Sequence, residues 1–141
     1  MGVPDGEEMR QPTVAQGWIH QMTCIRELSS HDGKLYQQPV RELQALREEE
    51  HHFAGRADNC PVIDARRLEL VIESEGDLTL NFGDTMILHW HKNQLRLDRR
   101  SLENGGWLSR YWHGEARTLQ ILCDHSSLEI FINAGAGVRS S

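Results

Sequence analysis

The chain has 141 residues, 38% of them hydrophobic and 26% charged, with a formal charge of −6 and a calculated pI of about 5.7. That composition is globular rather than disordered, and the length suits one domain or one domain plus part of another. The acidic balance excludes a broad basic surface for nucleic acid or anionic membrane, since the only basic cluster is "RLDRR" at 96–100.

The first residues, "MGVPDGEEMR", lack the basic start and apolar run of a signal peptide, and no window is long and apolar enough to span a bilayer. Cys24, Cys60 and Cys123 are odd in number and widely spaced, which fits free thiols better than a disulfide framework or a zinc site. A cytoplasmic location is the expectation. "GWIHQMTCIREL" alternates Ile19, Gln21, Thr23 and Ile25 against Trp18, His20, Met22 and Cys24, and so predicts a strand. "SSHDGKLYQQP" then predicts a turn and a short strand over 34–37, completing a hairpin. In "PVRELQALREEEHHF", Pro39 suits a first helical position, with Val40, Leu43 and Leu46–Arg47 on one face of a helix of one to three turns.

From residue 47 to 61 the sequence turns polar, marking a boundary between structural units. Strand-like runs follow at 63–73, 77–82, 86–91, 94–99, 107–112, 117–124 and 127–133. Short strands joined by Gly-, Asp- and Asn-containing turns predict an all-β sandwich or barrel. In the last two runs, Leu119, Ile121 and Cys123 share one face, as do Leu128, Ile130 and Ile132, with Glu129 and Phe131 opposite.

Two carboxylates, Asp124 and Glu129, flank the turn of that final hairpin. Paired carboxylates can hydrolyse glycosides, but Asp at a turn also accepts backbone N–H bonds, here near Ser126. Glu129 could equally pair with a basic neighbour on the less apolar face. Other candidates carry equally ordinary readings. His89 and His91 share a strand face but lack a third ligand at recognisable spacing, and His51–His52 lie in the polar stretch. Trp90, Trp107 and Trp112 could stack sugars or fill a core. A nucleophile elbow, a phosphate loop and an EF-hand are absent.

The segment "LQILCDHSSLEIFINAGAGVRSS" resembles the end of the β-sandwich domain of glycoside hydrolase family 32, the invertases and other β-fructofuranosidases. Asp124, Ser126, Glu129, Phe131, Asn133 and Gly135 match its D-x-S-S/V-I/V/L-E-I/V-F-I/V/L-N run and the glycine that follows. "GWIHQMTCIRELSSHDGKLYQQPVRELQALR" is similar to the family's G-W-x-x-x-M/L-T-x-P-R-E-L…G-x-L-x-Q-x-P-V-x-E-L-x-x-L-R, through Trp18, Arg26, Glu27, Leu28, Leu35, Gln37, Pro39, Glu42, Leu43, Leu46 and Arg47. Ile25 stands where proline is usual, and His125 where Arg or Gln is common.

The resemblance implies an all-β chain: a propeller-blade remnant with a short helical connector at 1–47, a linker at 48–61, and a β-sandwich at 62–141 that lacks its terminal strands. It implies hydrolysis of sucrose or sucrose 6-phosphate by the complete enzyme, with no metal and no organic cofactor. The family's catalytic carboxylates lie in N-D-P and E-C motifs and a sugar-binding Asp in R-D-P, all on the propeller, and none of these motifs occurs here. No catalytic, cofactor or metal residue is therefore expected in this chain, and Asp124 and Glu129 are expected to be structural. Exposed strand edges predict a homo-oligomer, with no nucleic-acid or membrane partner and at most a weak carbohydrate contact. The alternatives are a small carbohydrate-binding β-sandwich using exposed Trp residues and a metal-dependent cupin-like barrel.

Overall fold

The computed structural model describes residues 12–17, 22–102, 104–135 and 137–140. The fold is all-β, with ten strands among the described residues: β1 (Arg26–His31), β2 (Lys34–Pro39), β3 (Leu68–Glu73), β4 (Leu78–Phe82), β5 (Met86–His91), β6 (Gln94–Arg100), β7 (Trp107–His113), β8 (Thr118–Asp124), β9 (Ser127–Ile132) and β10 (Gly137–Ser140). The only helical segments among these residues are short 3₁₀ turns at Pro12–Gln16, Arg41–Leu46 and Ala57–Asn59. No helix among them is long and apolar enough to cross a membrane.

The strands form two compact units. One is an antiparallel meander in the order β4-β5-β6-β7. Alternation sorts its side chains: Leu88, Trp90, Leu95 and Leu97 are buried on one face, while Thr79, His89, Arg96 and Tyr111 line up in register on the other. Burying each of the large apolar groups stabilises by roughly 1.5–3 kcal/mol.

The other unit holds a four-stranded antiparallel sheet in the order β10-β9-β8-β3, together with the β1–β2 hairpin. Leu119, Ile121, Leu128, Ile130 and Ile132 form the buried apolar face of the sheet, as the alternation predicts. The hairpin turns at Asp32 (φ 51°) and Gly33 (φ 71°). Two consecutive positive φ values define the type I′ turn whose twist suits a two-residue hairpin, and Asp-Gly is among the few pairs that tolerate it.

Four expectations need correction. The hairpin's first strand starts at Arg26, and Met22–Ile25 is irregular, while the predicted strand residues 18–21 lie outside the described residues. Pro39 ends β2 rather than opening a helix, and the connector is a 3₁₀ turn over Arg41–Leu46. The physical reason is at Val40: it is extended (φ −61°, ψ 145°), supplies no side-chain cap, and donates its N–H to the Ile25 carbonyl at 3.1 Å. Without a cap to open an α-helix, the segment closes only i→i+3 bonds. β3 starts five residues later than the predicted run, at Leu68. Finally, β10 pairs with β9 where the pattern gave no strand, because the open edge of β9 can recruit a segment of weak intrinsic preference.

Candidate functional site

The two motif blocks, about a hundred residues apart, meet in one polar junction of the second unit. Glu129 lies mid-strand in β9 on the face opposite the apolar one, yet is only 5% exposed. Its Oε1 accepts the Cys24 backbone N–H at 2.7 Å. Its Oε2 accepts Arg26 Nη2 at 2.6 Å and the Cys24 thiol at 3.4 Å. Arg26 also donates Nη1 to Gln37 Oε1 at 3.1 Å and lies 5.4 Å from the ring centre of buried Phe131. The basic partner expected for Glu129 is thus Arg26, delivered by β1.

The rest of the junction is made largely through backbone groups. Gln37 donates its N–H to the Gly135 carbonyl at 3.0 Å, and Gln38 Nε2 reaches the Ala134 carbonyl at 2.6 Å. Asn133, Ala134 and Gly135 all take positive φ (50°, 53° and 94°), a left-handed run that Asn and Gly tolerate best. Asn133 Oδ1 accepts the N–H groups of Arg117 and Thr118, and its own N–H goes to the Thr118 carbonyl. A Cβ at Gly135 would run into the Gln37 carbonyl, so glycine there permits close approach of β2.

A second polar contact anchors the connector. Arg47 grips Glu69 on β3 with Nε at 2.6 Å and Nη2 at 2.8 Å, and Gln120 Nε2 adds a third bond to the same carboxylate. The Arg47 hydrogen bond, only partly opposed by burial, holds Glu69 below its ordinary carboxylate range. Cys24 is pushed up to about 11, first by burial and then by the adjacent Glu129 carboxylate. Burial alone pushes Cys123 to about 11.

As chemistry, this junction holds rather than reacts. Asp124 and Glu129 lie on one face of the β8–β9 hairpin, since Asp124 faces Ser127 and Glu129 faces Leu122. A diagonal neighbourhood of roughly 7–8 Å between backbone positions does not by itself make the closely apposed carboxyl pair of a retaining glycosidase. Occupancy is the stronger argument. Glu129 has both oxygens engaged by the chain itself. Asp124 accepts the His125 N–H at 2.8 Å, next to the Ser126 position expected, and this bond is the main cause that lowers its pKa.

The remaining candidates disperse. His89 Nε2 lies 3.2 Å from Asp98, and His91 Nδ1 lies 3.1 Å from Asp77, so the two imidazoles face different carboxylates. Among the described residues no group of three or more His, Cys, Asp or Glu could hold a metal ion. Ser109 Oγ donates to Asp98 at 2.7 Å, which puts the carboxylate between serine and histidine. In a hydrolytic triad the histidine must lie between the other two to take the serine proton. His51 and His52 sit by Glu49 and Glu50 in exposed chain. The three tryptophans do not make one platform: Trp90 is buried on the apolar face with Trp112 on the same side, while Trp107 projects on the other and is 45% exposed.

Comparison with known proteins gives these contacts a context. No protein-family model matches the chain. Over its whole length the chain is 50% identical to sucrose-6-phosphate hydrolase of Klebsiella pneumoniae, covering 30% of that protein. It is 33% identical to the Bacillus subtilis sucrose-6-phosphate hydrolase, again over its whole length, covering 32%. A solved structure of sucrose-6-phosphate hydrolase from Lactobacillus gasseri superposes on 92% of the chain with a TM-score of 0.66 at 24% identity, covering 30% of that protein. The likeness read from the two motif blocks is borne out, and the fold is that of a β-sandwich. The chain spans about 30% of the length of these relatives.

Proposed function

We propose that this chain is the C-terminal β-sandwich portion of a sucrose or sucrose-6-phosphate hydrolase of glycoside hydrolase family 32, and that it supports catalysis without performing it. The observation that carries the reading is the whole-length match to about 30% of such relatives. The two best-placed carboxylates are consistent with it, since one closes a turn and the other anchors a hairpin. In this reading residues 1–47 belong with a catalytic propeller, residues 48–61 link the two parts, and the sandwich braces the last blade through Arg26 and Glu129. The complete enzyme would act in carbohydrate metabolism in the cytoplasm.

The test is a hydrolysis assay on sucrose and sucrose 6-phosphate. The 141-residue chain alone should release no hexose, and co-expression with the remaining portion of the Klebsiella relative should restore turnover. Hydrolysis by the chain alone, lost on Asp124→Asn or Glu129→Gln, would overturn the proposal. We also propose self-association through unpaired edges such as β1 and β3, where Leu28 and Val71 are exposed. Sedimentation at micromolar concentration should find a dimer or larger species, and a folded monomer would refute this.

A further inference from the structure

We propose that residues 48–67 form a processing site, opened after Arg56 by an endoprotease that cleaves on the carboxyl side of arginine, and that the β1–β2 hairpin stays seated on its sheet after the cut. The inference stands on exposure and contacts within this one chain, not on the hydrolase reading.

Every residue from 48 to 67 is exposed, and Val62, at 98%, is left wholly in solvent. The ion pairs of His51 with Glu49, His52 with Glu50 and Arg56 with Asp58 run within the segment. The backbone bonds there are as local: Asn59 N–H to the Arg56 carbonyl at 3.0 Å and Cys60 N–H to the Ala57 carbonyl at 3.1 Å. Long exposed stretches of this kind are where chains are nicked.

Position singles out Arg56. Its backbone is extended (φ −75°, ψ 140°), the form in which a protease takes its substrate, and its side chain is 81% exposed. Arg66 and Arg67 are exposed too, but β3 begins at Leu68 and its ladder to β8 would have to open to seat them. Arg47 closes the 3₁₀ turn and is clasped on Glu69. The other described Lys and Arg residues lie in strands, in the Arg41–Leu46 turn, in the tight β5–β6 turn or, for Arg117, against Asn133 at the start of β8. The step is a hydrolysis: water adds across the Arg56–Ala57 peptide bond, leaving a carboxylate on Arg56 and an amine on Ala57, and both new charges fall in solvent.

What survives the cut is the joint. Cys24, Arg26, Gln37, Gln38 and Arg47 precede the cleaved bond, and their acceptors on Glu129, Gly135, Ala134 and Glu69 follow it. Cleavage removes the local concentration that a tether supplies, on the order of millimolar for a short flexible linker. Those bonds then hold the hairpin without covalent help. The cut thus turns a fixed element into a releasable one.

The experiment is limited trypsin digestion of the 141-residue chain at tens of micromolar, with mass spectrometry to read the sites and gel filtration to read the pieces. Among the described residues the first cut is expected after Arg56, about tenfold or more ahead of any other Lys or Arg, because sites in paired strands are cleaved only from opened states. Arg56→Gln should remove that first cut, and at so exposed a position it should leave the fold unchanged. The nicked chain should elute as one species holding the pieces on both sides of Arg56. Glu129→Gln should raise the released fraction of the hairpin piece by about tenfold, as expected for losing a hydrogen bond to a charged group. A first cut at any other described residue overturns the proposal, and so does separation of the two pieces in the nicked parent chain. No sugar turnover is measured, so failure of the hydrolase reading would leave this result untouched.

Discussion

In the meander of residues 76–116 every strand pairs with its neighbour in sequence, and Leu88, Trp90, Leu95 and Leu97 supply its buried apolar groups. In the other unit β3 pairs with β8 across some fifty residues, and the β1–β2 hairpin is fastened to β9 by Arg26 and Glu129, 103 positions apart. One unit pairs locally, each strand with the next, along a non-directional apolar face. The other needs directional polar bonds to place a hairpin whose outward residues Leu28 and Leu35 are largely exposed. The difference teaches where an ion pair matters: at a joint between elements whose apolar contacts alone leave the register open.

The largest effect expected of that difference comes from Glu129→Ala. It takes the carboxylate from the Arg26 guanidinium, which keeps Gln37, and the acceptor from the Cys24 N–H, and breaking a buried pair in this way costs roughly 3–5 kcal/mol. Urea denaturation should read that loss, and hydrogen exchange should find it first at Gln37 and Val40. Trp90→Ala in the meander should cost about as much, roughly 3–5 kcal/mol, for the unlike reason of a cavity. Rescue separates the two: Arg26→Met combined with Glu129→Met should regain most of the stability, since well-packed apolar groups often replace a buried pair at no loss. If the double variant is as unstable as Glu129→Ala, the joint is not held by charge.

Gly135→Ala comes next. The added Cβ meets the Gln37 carbonyl and must take φ near 94°, a strain of about 1–3 kcal/mol. Loss of amide protection at Gln37 should accompany it. Arg47→Ala should cost less than about 1 kcal/mol in urea denaturation, because its carboxylate clasp is exposed and screened. A larger loss would make the connector a second joint equal to the first.

What the sequence revealed follows the same division. The meander strands could be read almost to the residue, 86–91 included, because period-two alternation is a local signal. Glu129 could be placed on the less apolar face and expected to find a basic group, but Arg26 lay beyond any local pattern. The α-helical reading of 39–47 failed because Val40 spends its N–H on Ile25, a tertiary contact. Residues 137–140 show no alternation and become β10 only through the edge of β9. The tryptophans stayed open between platform and core because which strand faces they share is not known until register is: Trp90 and Trp112 fall on one, Trp107 on the other.

The last expected effect concerns the thiols and is nil at neutral pH. Cys24 and Cys123 keep their protons to about 11 in the folded chain, against an ordinary 9.0. Between those values the unfolded chain loses protons that the folded chain retains, so stability is fully present below pH 9 and declines as pH rises toward 11. The urea midpoint should fall across that window, and Cys123→Ala should flatten part of the fall. The Cys24 share belongs to the polar joint, because Glu129 adds to burial in raising that thiol. Glu129→Gln should therefore lower the Cys24 titration while leaving Cys123 unmoved, whose shift comes from burial alone. Alkylation followed by mass spectrometry reads this directly: exposed Cys60 should be modified first, and in Glu129→Gln the rate at Cys24 should rise at pH 9 while that at Cys123 stays fixed. Equal acceleration at both cysteines would mean that the substitution opens the sheet generally, and that the carboxylate does not act on the thiol through its charge.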